Sequence, residues 1–321
     1  RKTRADLDLD AVRRYMRNAT QQGRRNFAEH DDPWQVLQKL ELVQSDTAIT
    51  RAAILLFGNN PQSPLTQAVV HAGRLQQLIH IMDHRIIAGT VIEQVEETMA
   101  FMQKNLHVRV EITGAPARQE IWDYPLVALR EALINAICHR DYGDTADIQI
   151  KIFETSLHIW SPGTLPHGVS VPDLLSPTHP SRPRNKLIAQ VFFDLGLIER
   201  YGGGIQRILA ACASAGLPAP ELENFQGGFR IVFQRAAEWT EGVTEGVTEG
   251  VTEGVTALKN LIAQQPGLRT PALAQALETS PKNIERWLSQ LKHAGAIEFK
   301  GAPKTGGYHT TESPAHNKRE T

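Results

Sequence analysis

Between Thr240 and Val255 the chain repeats Thr-Glu-Gly-Val four times, and no other feature constrains its architecture so strongly. Gly recurs in every repeat, and Val and Thr are β-branched, so helix formation is opposed at most positions. The Glu of each repeat has no Lys or Arg nearby, and like charges repel. Such a tract offers too little apolar surface to offset the entropy of ordering it. It reads as a flexible acidic linker; the alternative is an ordered oligomerisation strand or helix, since Val returns every fourth residue. On either reading it separates residues 1–239 from 256–321.

The remaining composition sets outer limits. A length of 321 residues suggests two or three domains, at about 100–200 residues each. We expect a mixed α/β scaffold region over 1–105, a chemistry-bearing domain over 106–239, the repeat linker over 240–255, and a small domain with a disordered tail over 256–321. The balance of 34 Lys and Arg against 35 Asp and Glu excludes a uniformly basic nucleic-acid binder but allows a basic patch. Cys138 and Cys212 form no CxxC and no disulfide framework, which suits a reducing cytoplasm. No apolar run approaches the ~18 residues that would span a bilayer, and no signal peptide is visible, so no membrane partner is expected. The chain begins Arg1-Lys2-Thr3 rather than with Met and reads as a piece of a longer protein.

The C-terminal piece is legible element by element. Ala257–Gln265 reads as a helix ended by Pro266-Gly267, and Thr270–Leu277 as a second, with Pro271 near its first position. Ser280 is a good N-cap for a third helix, Lys282–His293, whose Ile284, Leu288 and Leu291 are spaced to face inward. Ala296–Lys300 and Tyr308–Thr311 read as short strands around a Gly-rich, Lys-bearing loop. That order is a winged helix-turn-helix pattern. Residues 257–321 carry nine Lys and Arg against five Glu, and phosphate neutralisation supplies most non-specific DNA affinity. The third helix of such a domain enters the major groove. Lys282, Asn283, Arg286 and Gln290 are therefore candidate DNA contacts, with Lys300 and Lys304 reaching the backbone from the wing. Winged helices also serve as protein–protein modules, and the basic excess is modest.

The chemistry concentrates upstream, in Arg130 to Tyr142. Residues four apart share a helix face, so Glu131, Asn135 and His139 align, opposite Leu129, Leu133, Ala136 and Ile137. An acid and a carboxamide one turn apart suit a hydrated magnesium ion, which prefers oxygen ligands and keeps several waters. The same spacing also describes an ordinary solvated face. Before this helix, His107–Thr113 alternates as a strand, and Asp123 stands ready to cap. After it, Asp147–Phe153 and Ser156–Trp160 form a hairpin through Glu154-Thr155. A sharp turn, Ser161 to Pro166, leads into a Pro- and Ser-rich loop ending at Arg184. Asn185–Leu195 is helical, Gly202-Gly203-Gly204-Ile205 opens a helix to Ala215, and Phe229–Arg235 is a last strand. This order predicts an α/β sandwich on an antiparallel sheet.

Several ordered motifs carry a family resemblance: Glu131-xxx-Asn135-Ala136, His139-Arg140-Asp141-Tyr142, Ser161-Pro162-Gly163, Ser181-Arg182-Pro183-Arg184-Asn185 and Gly202-Gly203-Gly204-Ile205. Together, over roughly residues 40–235, they resemble bacterial and archaeal transcriptional regulators with a divergent histidine-kinase-type (GHKL) ATP-binding domain. That group is labelled as related to the C-terminal part of the RecG helicase. Its members usually carry an AlbA-type or Schlafen-like domain upstream, which this sequence does not show, and a C-terminal winged helix matching residues 256–311. The resemblance implies an α/β (α+β) class: a GHKL-like two-layer sandwich between an N-terminal scaffold and a winged-helix domain.

It also implies roles. Glu131 would be the general base for water attacking the γ-phosphate, and Asn135 would hold magnesium. The turn from Ser161 to Gly163 would sit beside the adenine. Gly202, Gly203 and Gly204 would bring backbone N–H groups to the phosphates at a helix start. The loop from Leu174 to Arg184 would be a lid, with Arg182 and Arg184 contacting phosphate. ATP and Mg are thus the implied cofactors. Two positions depart from the pattern. Ser161 stands where typical GHKL proteins place an adenine-reading Asp, and Lys186 where these regulators carry Pro. Losing one charged hydrogen bond costs ~1.5–3 kcal/mol.

Other chemistries find no support. There is no Gly-xxxx-Gly-Lys-Ser/Thr P-loop and no GxSxG elbow. The 12 His lack paired metal-ligand spacing, and Cys138 and His139 are neighbours that point different ways on a helix. Residues 1–105 read as scaffold: helices over Leu7–Gln22, Ile49–Phe57 and Thr90–Asn105, a strand over Thr66–Ala72, and a basic segment with Arg13, Arg14, Arg17, Arg24 and Arg25 that continues an upstream domain or contacts nucleic acid. The expected function is a DNA-binding transcriptional regulator whose GHKL-like domain binds a nucleotide, with weak ATP hydrolysis and a homodimeric state both allowed. The alternatives are a degenerate, non-hydrolysing scaffold for protein or DNA, and a slow ATPase in DNA repair or defence.

Overall fold

The computed structural model describes residues 2–76, 80–111, 119–176, 179–199, 203–236, 255–277, 279–293, 296–300 and 306–311. The chain forms two compact units, Arg1–Ala236 and Ala237–Thr321. The Thr-Glu-Gly-Val repeat, apart from Val255, lies outside the described residues.

The first unit is a mixed α/β body. Its helices are α1 (Leu9–Gln21), α2 (Pro33–Lys39), α3 (Arg51–Phe57), α4 (Val91–Asn105), α5 (Leu126–His139), α6 (Val171–Leu175), α7 (Lys186–Asp194) and α8 (Gly204–Ser214). The main sheet uses β3 (Val70–Gln76), β4 (His80–Ile87), β7 (Ile148–Ile152), β8 (Ser156–Pro162), β9 (Glu221–Phe225) and β10 (Gly228–Gln234). Two short antiparallel pairs stand apart from it: β1 (Val43–Ser45) with β2 (Ala48–Ile49), and β5 (Val108–Glu111) with β6 (Gln119–Trp122).

The six strands run in the order β4-β3-β7-β8-β10-β9. All neighbours are antiparallel except β3 and β7, which pair in parallel with Val70 opposite Ile148. The sheet is therefore mixed, not antiparallel as expected. A parallel pair needs a crossover, and the chain between β3 and β7 supplies it through α4 and α5. The expected boundary at 105/106 also falls inside this body, because β3 and β4 complete the sheet begun by β7.

Local chemistry explains the elements that bound the site. Thr90 caps α4, its hydroxyl accepting from the Glu93 N–H while Glu93 reaches back to the Thr90 N–H. Between β9 and β10, Gln226 (φ 47°) and Gly227 (φ 76°) make a two-residue turn with both φ positive, the hairpin geometry that matches strand twist. α5 starts after Pro125 with no side-chain cap; Asp123 turns inward instead of capping. Leu129, Leu133 and Ile137 of α5 are buried in one core with Ile150, Leu157, Ile159, Ile231 and Phe233 of the sheet, while Ala136 is half-buried.

The second unit has a helix α9 over residues 255–264, then α10 (Thr270–Ala276), α11 (Pro281–His293), β11 (Ile297–Lys300) and β12 (Gly307–Thr310). The two strands pair antiparallel, and Leu258, Ile262, Leu273, Ile284, Trp287, Leu288, Leu291 and Ile297 form its core. Ile284, Leu288 and Leu291 face inward as their spacing predicts. Among the described residues no helix is long and apolar enough to cross a membrane.

Candidate functional site

The site is built at the C-terminal end of α5, where a helix leaves its last carbonyls unpaired. Asn185 answers them. Its Nδ2 donates to the carbonyls of Cys138 (3.0 Å) and Arg140 (2.8 Å), and its backbone N–H also donates to Cys138 (3.2 Å). Beside it, Arg184 donates through Nε to the His139 carbonyl (3.1 Å) and through Nη2 to the Thr164 carbonyl (2.8 Å). One dipeptide thereby ties the exit of α5, the turn after β8 and the start of α7 into a common rim. Gly163 makes the turn possible: its φ is +105°, and a Cβ there would meet the Asp141 backbone nitrogen at 3.2 Å. The next residue of α5's exit, Arg140, is buried and donates to the carbonyls of Gln67, Val69 and Ala146. The His-Arg-Asp-Tyr motif is in this respect an anchor of the fold.

Inside the rim lies a cavity of about 480 Å³, walled by α5, the 161–166 turn, part of the segment up to Arg184, and the start of α8. Glu131, Asn135, Ser161, Gly163, Arg182, Arg184 and Gly204 all line it. Seven residues separated widely in sequence thus share one cleft. Gly203 lies at the N-cap of α8, and Gly202 lies outside the described residues.

The polar groups of the cleft are largely engaged. Glu131 is buried, and its Oε2 accepts from Arg207 Nη2 (2.9 Å) and Nε (3.2 Å). Its Oε1 faces Asn135 Nδ2 at 3.5 Å. Arg207 thus occupies one oxygen of that carboxylate, and among the described residues the other has only this long contact. Ser161 Oγ donates to the Ala136 carbonyl (2.9 Å), so its proton is spent within the protein and its lone pairs remain for a donor. His139 sits in the mouth of the cleft, open to solvent on one side; the protein around it and the nearby Arg184 guanidinium push its imidazole down to about 4. It is therefore neutral at pH 7. Burial pushes the Cys138 thiol up, first of all, with the Glu131 charge adding to the effect. It is not a reactive thiolate.

Arg207 is the charged residue of the cleft that sequence reading missed. It stands one helical turn beyond Gly203, its backbone N–H bonded to the Gly203 carbonyl. Continuing the four-residue spacing past the glycine triplet would have found it. Gly204 explains how α8 comes so close: a Cβ there would overlap Glu131 Oε1 and approach Asn135 Nδ2 at 3.1 Å. Arg182 is exposed and has no hydrogen-bond or ion-pair partner among the described residues. Among those residues no cluster of three or more His, Cys, Asp or Glu is arranged to hold a metal.

The candidate DNA residues are less defined. The backbone N–H of Asn283 donates to Ser280 Oγ (3.3 Å) and its Nδ2 to Thr279 Oγ1 (3.1 Å), and Lys300 pairs with Glu298 (3.0 Å). Lys304 lies outside the described residues, as do the side chains of Lys282, Arg286 and Gln290. The N-terminal basic segment is largely neutralised within the fold: Arg13 pairs with Asp10 (2.6 Å), Arg14 with Asp8 (3.3 Å), Arg24 with Glu199 (2.7 Å) and Arg25 with Asp194 (3.0 Å).

Comparison with known proteins places part of this unit. Residues 145–233 match a family model described as "Putative ATP-dependent DNA helicase recG C-terminal", HATPase_c_4. The match runs from the loop before β7 almost to the end of β10. Among solved structures, the fold is similar to the DIP2311 protein from Corynebacterium diphtheriae, with a TM-score of 0.57 and 17% identity. The likeness covers 96% of this chain and 62% of that one, so the chain spans less than two thirds of its length. A search of curated proteins finds no significant match.

Proposed function

We propose that this protein is a nucleotide-responsive DNA-binding regulator, in which the cleft of the first unit binds ATP and the second unit docks on DNA. The observation that carries the reading is the convergence of α5, the 161–166 turn and the glycine-led start of α8 on one cavity of about 480 Å³. That volume is in the range of small-molecule sites. Part of its wall falls within residues 145–233, matched to a HATPase-type family. The GHKL-like architecture is our reading of the six-stranded mixed sheet with α4 and α5 in its crossover. Within it, backbone N–H groups at Gly203 and Gly204 would approach phosphate, and Arg182, without a partner among the described residues, would supply a cation. The turn from Ser161 to Gly163 would receive the base. Magnesium would bind with the nucleotide's own phosphates, as it commonly does, and Asn135 with Glu131 would be its nearest protein groups.

The geometry favours binding over hydrolysis. Hydrolysis needs a base, and one oxygen of Glu131 is engaged by Arg207. A slow or absent ATPase is compatible with a regulator, because phosphoryl transfer depends on positioning and charge neutralisation that a switch can forgo. For DNA, the supporting observation is the order of three helices and an antiparallel hairpin in the second unit. Lys282, Asn283, Arg286 and Gln290 on α11, with Lys300 and Lys304 around the hairpin, are the proposed contacts.

Thermal unfolding of the full chain with ATP and magnesium tests the cleft. A ligand of the native state must stabilise it in proportion to saturation, so the melting temperature rises with ATP and rises less in Asn135→Ala. No shift at millimolar ATP would sink the nucleotide reading.

A further inference from the structure

We infer that Arg207 is the anion-selecting residue of the cleft, and that it binds an anionic ligand group by exchanging it for Glu131. The inference rests on the nucleotide reading and deepens it. Its observations are geometric. Arg207 contacts Glu131 through Nε and Nη2, both on the single oxygen Oε2. A guanidinium has five N–H donors, so donors remain for a second acceptor. The two partners also differ in access: 38% of the Arg207 side chain is exposed against 9% for Glu131. An entering anion therefore meets the guanidinium, with the carboxylate behind it.

The other charged groups of the cleft are mostly engaged elsewhere. Asp173 spends its carboxylate on the Ser170 N–H and hydroxyl, and Glu199 is held by Arg24. Arg184 is committed to two carbonyls and lies 3.5 Å from Asp141. Among the described residues that leaves Arg182, without a partner there, and Arg207, with one that competes. A polyphosphate can accept bidentate bonds from Arg that a lone carboxylate oxygen does not match. Glu131 then keeps Asn135 Nδ2 as its neighbour. The pair is thus a built-in competitor: it neutralises both charges while the cleft is empty and sets a threshold that only an anionic ligand passes.

The test compares ATP with adenosine, in EDTA so that magnesium plays no part, by calorimetric titration of the full chain. Glu131→Gln removes the competing charge, and ATP affinity rises about threefold or more. Arg207→Gln lowers the ratio of ATP to adenosine affinity at least tenfold. Because that variant leaves a buried carboxylate behind, the double variant E131Q/R207Q, which leaves none, is measured beside it and shows the same lowered ratio. An unchanged ratio in both Arg207 variants, or no gain in Glu131→Gln, overturns the inference while the nucleotide reading stands. Wild-type protein that binds neither ATP nor adenosine overturns both.

Discussion

Arg235, the residue after β10, donates through Nη2 to the carboxylate of Asp123 at 2.6 Å, and both side chains are buried. The pair closes the sheet's last long strand onto the entrance of α5, and His107 Nδ1 lies 2.7 Å from the same guanidinium nitrogen. It is a costly arrangement, because Asp123 Oδ1 and Arg235 Nε are buried without hydrogen-bond partners among the described residues. Removing one member strands the other. Arg235→Met should destabilise the protein by about 3–5 kcal/mol. The double change to Asp123→Asn with Arg235→Met should cost less than the single change. Urea unfolding of wild type, both single variants and the double variant measures the difference; losses that simply add would show that the pair is not coupled.

Gly204→Ala sets two effects of opposite sign against each other. In an ordinary helix, replacing Gly by Ala gains up to about 1 kcal/mol. Here the new Cβ would overlap Glu131 Oε1, which faces Asn135, on a carboxylate whose other oxygen, Oε2, is held by Arg207. Overpacking of this kind costs about 1–3 kcal/mol, so the clash wins. The variant should melt below wild type and should loosen the contact of α8 with α5. A stabilised Gly204→Ala would mean that the carboxylate moves freely.

How much of this was readable from residues alone depended on where the causes lay. The α11 face, the α4 helix and the β7–β8 hairpin follow from local spacing and turn chemistry, and they were legible. β4 was not: His80 to Ile87 is an edge strand with Ile81, Met82 and Ile86 exposed, so it lacks the inside–outside alternation that marks a half-buried strand. β9 was missed as well, since Gln226 supplies the positive φ that Asn or Gly usually signals. The mixed sheet depends on the parallel pairing of Val70 with Ile148, a contact between distant segments that periodicity cannot report. At the site, the Glu131, Asn135 and His139 stripe was visible as a helix face. Its partner Arg207 was not, because that ion pair joins residues 76 positions apart.

His139 gives the cleft a pH signature. Its imidazole is pushed from 6.5 down to about 4, by the surrounding protein first and the Arg184 charge second. Between those values the unfolded chain holds a proton that the folded chain refuses, so unfolding is favoured by acid. The associated stability is fully present above 6.5 and is lost as the pH falls towards 4. His139→Gln should flatten the fall in melting temperature over that window. Parallel curves for variant and wild type would contradict the assignment.

Arg140 offers the sharpest test of fold against function, since it lies in the motif between His139 and Asp141 yet serves the interior. Its guanidinium is buried, reaches three carbonyls at Gln67, Val69 and Ala146, and stacks 5.1 Å from the Tyr142 ring. Lys cannot reproduce that fork: an ammonium is a point charge on a flexible stem. Arg140→Lys should therefore leave at least one carbonyl unpaired, at a cost of about 1.5–3 kcal/mol for each charged hydrogen bond lost. Because none of the three carbonyls faces the cleft lining, the variant that still folds should bind ATP with near-native affinity. A variant as stable as wild type but defective in ATP binding would move Arg140 from the frame of the fold into the site itself.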